Sequence, residues 1–174
     1  RECYGGLDLA AVSDMNAYVL IFPPSFEGEP TYVKPYFWIP KATIERKSEI
    51  GNFMQWEREG YVRSCGDEVI NQKEILRDIL EIHKKYQVKT FAFDRFLAYN
   101  GIIQGLQEEG IESFEFGQGF LSMSNPTKEL SIMTLGGKIA HGGNPVLRWH
   151  MGNIEIKMDE ADNIKIDKRK SREK

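Results

Sequence analysis

The chain has 174 residues, 41% hydrophobic and 28% charged, which suffices for one globular domain with a sizeable core and argues against disorder. Its 26 acidic and 23 basic residues leave a net charge of −3, so no overall positive field advertises a nucleic-acid partner, and an anionic ligand must be held locally. No run approaches the roughly 18 apolar residues of a membrane helix, and Arg1-Glu2-Cys3-Tyr4 is not a charged-then-apolar leader, so a soluble protein without visible targeting and no membrane partner is expected.

The opening third reads as strands over residues 4–10, 17–22 and 32–39, separated by Pro23-Pro24 and Gly28-Glu29-Pro30, and predicts an antiparallel meander. The period then changes. Ile75, Ile79, Ile82 and Tyr86 recur at helical spacing, with Asn71 placed as an N-cap and Glu74 as its capping-box partner. Residues 88–93 follow as a strand, 99–109 as a helix closed by Gly110, and 114–116 as another strand, an order that implies parallel pairing through a crossover. A helix is expected to begin at Pro126 and run to residue 139, with Gly142-Gly143-Asn144-Pro145 breaking the chain after it. Ile154, Ile156 and Met158, then Ile164 and Ile166 across an acidic turn, alternate as a β-hairpin. The expected class is α/β: one domain over residues 1–174, a mixed sheet flanked by helices with a C-terminal hairpin. Beginning without Met and stopping inside a charge run, the chain reads as part of something longer.

Asp8 lies inside Gly6-Leu7-Asp8-Leu9-Ala10, on the opposite strand face from its leucines. A carboxylate in an apolar strand calls for a cation, an Arg or a hydrogen-bond cluster, though an Arg-paired or turn-stabilising aspartate is the plainer alternative. Asp94 ends Thr90-Phe91-Ala92-Phe93, at the strand edge where ligands gather in open α/β sheets, with a helix N-cap as its plainer role. Two acids at the ends of neighbouring strands repel unless a divalent cation neutralises them, which suggests Mg²⁺ or Mn²⁺.

Cys3 and Cys65 match no metal spacing and read as core thiols of a reducing compartment. His83 reads as a half-exposed helix residue, while His141 and His150 flank the Gly-Gly-Asn-Pro break, where a structural role outweighs a DNA-facing one. No P-loop, Gly-x-Ser-x-Gly or Cys/His pair is present.

Gly5-Gly6-Leu7-Asp8-Leu9-Ala10, Phe91-Ala92-Phe93-Asp94-Arg95, Asn125-Pro126-Thr127-Lys128-Glu129-Leu130 and residues 141–149, in that order and spacing, resemble the C-terminal nuclease domain of tailed-bacteriophage large terminase subunits. The resemblance covers nearly the whole chain. It implies an RNase H-like fold and an endonuclease that cuts concatemeric viral DNA by two-metal-ion hydrolysis, with Asp8 bridging two Mg²⁺ or Mn²⁺ ions and Asp94 holding one. It further implies a packaging ATPase domain elsewhere in the full-length chain, portal and small terminase partners, and action in the host cytoplasm on the viral procapsid. The family's third carboxylate is expected after the basic segment, beyond Lys174, so Asp167 is assigned to the hairpin arm and Asp14 to an auxiliary or turn role.

Residues 165–174 hold six Lys/Arg against two Asp/Glu, and Lys165, Lys168, Arg169, Lys170 and Arg172 are the expected DNA-phosphate contacts, unless the run is merely solvated. Two rival readings are a catalytically inactive DNA-docking or regulatory module, and an actin-like phosphotransferase, which would need a second phosphate-binding repeat that this chain does not show.

Overall fold

The computed structural model describes residues 1–10, 12–97 and 100–167. The expected meander is present: β1 (Glu2–Asp8) pairs antiparallel with β2 (Asn16–Phe22), and β2 with β3 (Thr31–Ile39). The middle third follows the periodicity that predicted it. Helix α3 (Gln72–Lys85) is capped by Asn71, whose side chain accepts from the Lys73 N–H and donates to Glu74 Oε1 at 2.7 Å. β5 (Gln87–Asp94), α4 (Gly101–Glu108) and β6 (Ser113–Phe116) form the crossover, with β5 parallel to both β1 and β6. Gly110 closes α4 at a φ of 76°, a conformation that favours glycine.

The chain adds elements that the pattern did not announce. Short helices α1 (Lys41–Arg46) and α2 (Phe53–Arg58) follow the meander, and β4 (Arg63–Ser64) pairs with the end of β3. Helix α5 (Phe120–Leu135) contains Pro126 in its interior rather than at its start, and β7 (Ile139–Ala140) occupies the residues expected to end that helix. The extended Gly119 already starts the helix, so a proline in its second turn removes one backbone donor without ending it. The Gly-Gly-Asn-Pro break is itself a helix start: Asn144 accepts from the Leu147 N–H at 2.9 Å, and Pro145 opens α6 (Pro145–Asn153). The hairpin is β8 (Ile156–Met158) with β9 (Ile164–Ile166).

Among the described residues the main sheet runs β4-β3-β2-β1-β5-β6, with β7 also on β3. One face carries Cys3, Leu7, Tyr18, Leu20, Phe91 and Phe93 against α3 and α4 in the larger core. The other face, near the end of β3, packs Phe37 and Ile39 against Ile44, Phe53, Trp56 and Val146 from α1, α2 and α6. Both cysteines are buried and unbridged, as core thiols should be. His83 is half-buried and meets Tyr18 Oη at 2.7 Å, tying α3 to the sheet, and burial holds its pKa below the usual value.

Gly5 sits where that packing is tightest, since a Cβ there would stand 2.6 Å from Tyr18 Oη and 2.7 Å from Phe91 Cβ. Gly5→Ala is therefore expected to cost about 1–3 kcal/mol of stability through overpacking, read as a lowered denaturant midpoint. An unchanged midpoint would show that the strands separate freely at this point.

Candidate active site

Asp8 is the last residue of β1 and Asp94 the last of β5. The parallel ladder pairs Gly6 with Ala92 and Leu7 with Phe93, so the next step in register sets Asp8 beside Asp94, with their strands about 4.8 Å apart. Leu7 and Phe93 are core residues, and alternation turns both acids to the opposite sheet face. Asp8 is exposed and Asp94 half-buried, so neither bears the desolvation penalty expected of an acid deep in an apolar strand. Asp94 also fills its plainer role: Oδ1 accepts from the Phe96 N–H at 3.1 Å and fixes the 3-10 turn Arg95–Leu97 that follows.

Both acids line a cavity of about 600 Å³ together with Gln118, Lys157, Lys165 and Asp167. Asp167 follows β9 and is buried, and its N–H donates to the Glu155 carbonyl at 2.8 Å. Helix α5 seats the hairpin at this position. Ser124 Oγ accepts from the Ile164 N–H at 3.2 Å, and Lys165 Nζ donates to the Gln118 carbonyl at 2.8 Å. The hairpin arm, on which the sequence assigns Asp167 no role at the site, thus delivers a third carboxylate to the cavity. Sequence alone could not find it, because Asp167 reaches the acids through the hairpin's docking on α5 and not through any local spacing.

The other candidates lie elsewhere. Asp14 is exposed in the β1–β2 connection and does not line the cavity; its carbonyl accepts from Asn16 Nδ2 at 3.2 Å. Asn16, buried and overlooked by sequence, binds the Ala10 N–H through Oδ1 at 2.9 Å and so braces the chain two residues past Asp8. His150 stacks on Phe37 with centroids 5.7 Å apart, inside the second core, and burial lowers its pKa. Lys168, Arg169, Lys170 and Arg172 lie outside the described residues.

A larger cavity of about 840 Å³ runs along the outer side of β3. Its central acid, Asp78, is occupied by Trp38 Nε1 at 2.8 Å and by Arg63 at 2.6 Å, so its charge is neutralised within the fold. The acid-lined cavity is the site with chemistry to offer. Its carboxylates are hard oxygen donors suited to a divalent cation of the Mg²⁺ or Mn²⁺ type. Among the described residues no three His, Cys, Asp or Glu side chains are yet close enough to hold one ion together, so the strand-end pair is the core of any such site.

A mixed sheet with acid-tipped central strands, helices on both faces and a C-terminal hairpin is an RNase H-like fold. A family model described as the terminase large subunit, endonuclease domain, matches residues 1–174, and the chain belongs to that family. It is 32% identical over 177 residues to the large terminase subunit of Enterobacteria phage HK97, an alignment covering 98% of this chain and 34% of that protein. It is 28% identical over 162 residues to Protein YmfN of Escherichia coli (strain K12), covering 88% of this chain and 35% of that one. The crystal structure of the HK97 bacteriophage large terminase superposes with a TM-score of 0.89 and 31% identity, over 100% of this chain and 36% of the other. The chain spans about a third of the length of these relatives.

Because Asp94 caps the turn through one carboxylate oxygen, Asp94→Ala should lower stability by about 1 kcal/mol, whereas Asp94→Asn retains the acceptor and should hold the wild-type denaturant midpoint. Equal loss in both variants would mean that the charge, not the cap, stabilises this strand end.

Proposed function

We propose that this domain is a divalent-metal-dependent DNA endonuclease that cuts concatemeric viral DNA during genome packaging. The observation that carries the reading is the convergence of Asp8, Asp94 and Asp167 on one cavity at the ends of neighbouring strands and the hairpin. Asp8 and Asp94 would hold the metal, with Asp167 facing them from the hairpin, and up to two ions would share the three carboxylates. Bound there, Mg²⁺ or Mn²⁺ supplies an activated water and neutralises charge on the scissile phosphate.

The chain's own groups prepare that chemistry. The β1–β5 ladder fixes the spacing of the two acids before any ion arrives, and the Phe96 N–H orients the Asp94 carboxylate while leaving Oδ2 for a ligand. Lys165 brings positive charge to the cavity wall, and the basic residues Lys168, Arg169, Lys170 and Arg172, which follow it in sequence, would add further phosphate contacts. In the full-length protein the partners would be a packaging ATPase domain of the same chain, the portal and the small terminase subunit, at the procapsid in the host cell. Among the described residues no helix is long and apolar enough to cross a membrane.

One observation favours a second reading, an inactive DNA-docking or regulatory module: no three acids stand ready around a single ion among the described residues. Nicking of supercoiled plasmid in Mg²⁺ or Mn²⁺ separates the two. The wild-type chain should cut and stop cutting in chelator, and Asp8→Asn and Asp167→Asn should fall to background with unchanged thermal unfolding. Wild-type cutting that survives both substitutions removes these acids from the mechanism. DNA binding by a folded but uncutting wild type, equal with and without chelator, favours the docking module.

Neutralising Lys168, Arg169, Lys170 and Arg172 together should flatten the salt dependence of duplex binding, because each phosphate contact contributes about 0.9 to the log–log slope. A slope equal to wild type would mark the tail as solvated only.

A further inference from the structure

Lys157 and Lys165 face each other directly across the β8–β9 hairpin. Like charges in that relation destabilise an antiparallel pair. Both ammonium groups also lie over the same ring, Phe120, at 5.8 and 5.3 Å from its centroid, which concentrates the two charges at one place. Both residues line the cavity that holds Asp8, Asp94 and Asp167. Lys165 Nζ donates to the neutral Gln118 carbonyl at 2.8 Å. A fold seeking only stability would place an acid or a neutral residue opposite one of these lysines. Two cations facing each other across the hairpin and gathered on one aromatic ring at a cavity wall offer an anion two positive charges at one place.

We propose that Lys157 and Lys165 form a paired phosphate grip that holds the DNA backbone against the acidic wall of the cavity, the hairpin acting as its arm. This deepens the nuclease reading above and rests on it for the identity of the anion, a phosphodiester. The lysines are positioning residues: the carboxylates of the cavity would draw a metal cation and the lysines draw the phosphate. The two sets of charges oppose each other in the absence of DNA. The ammonium groups reduce the attraction of the cavity for a divalent ion, and a bound phosphate relieves that effect by neutralising them.

The arrangement gives effects of opposite sign, which a merely structural hairpin would not produce. In chelator, binding of a fluorescein-labelled duplex should weaken in Lys157→Gln and Lys165→Gln, with the log–log salt slope reduced by about 0.9 for each lost contact. In DNA-free protein, calorimetric titration of Mn²⁺ should show affinity raised by about threefold or more in the same variants, since a nearby positive charge has been removed. Lys157→Arg and Lys165→Arg should restore the wild-type slope. An unchanged slope in both Gln variants overturns the grip, as does a joint fall in duplex and Mn²⁺ affinity, which would mean that the hairpin had simply lost its seat. Plasmid cutting by the wild type, measured in parallel, reports on the nuclease reading separately. No cutting together with the opposed shifts would overturn that reading and uphold the grip.

Discussion

Two carboxylates at adjoining ends of parallel strands repel each other, and the rest of this domain is organised around holding them there. Like charges on neighbouring strand ends repel, more strongly the closer and drier they are. That cost is offset elsewhere. β1 lies between β2 and β5, its Cys3 and Leu7 buried in the core beneath α3 and α4, and Gly5 allows Tyr18 and Phe91 to close over it. Asn16 ties down the chain just past Asp8, and the Asp94 carboxylate is fixed by the turn that it caps. Rigid neighbours keep the acids in register, so a cation entering the cavity meets donors already in place, with little ordering entropy to lose.

The C-terminal hairpin supplies what the sheet cannot. A sheet edge offers acids from its own strands in one row, and a second wall must come from an element that folds back over it. β8 and β9 pair only with each other among the described strands, and they are held by Ser124 of α5 and by the Gln118 carbonyl just before that helix. One arm delivers Asp167 and Lys165 two residues apart, on the same side of the strand, and the other adds Lys157. Opposite charges thereby share one wall, as the proposed anionic substrate and metal cation would require. The two core clusters hold this assembly from opposite faces of the sheet.

Much of this was legible in the residues. The meander, α3 with its Asn71 cap, the β5-α4-β6 crossover and the hairpin all carry strong periodic or capping signals, and Asp8 and Asp94 stand out because an acid is conspicuous at the end of an apolar strand. The helix around Pro126 was misplaced because proline normally opens a helix, whereas here the extended Gly119 opened it first. The helix after Asn144 was hidden by the two glycines before it, whose φ values of 62° and 71° mark a turn leading into a cap rather than a loop. Asp167 was passed over for a deeper reason. Its place in the cavity follows from a hairpin docking on a helix some forty residues earlier in the chain, and no local pattern encodes a contact of that range.

The account turns on the strand-end acids acting as a cation site, and a crystal soaked in Mn²⁺ tests that most directly. Anomalous density should appear within roughly 2.0–2.6 Å of carboxylate oxygens of both Asp8 and Asp94, with Asp167 facing it across the cavity. Ordered carboxylates with no manganese between them at saturating metal, or manganese bound only elsewhere on the domain, would contradict it.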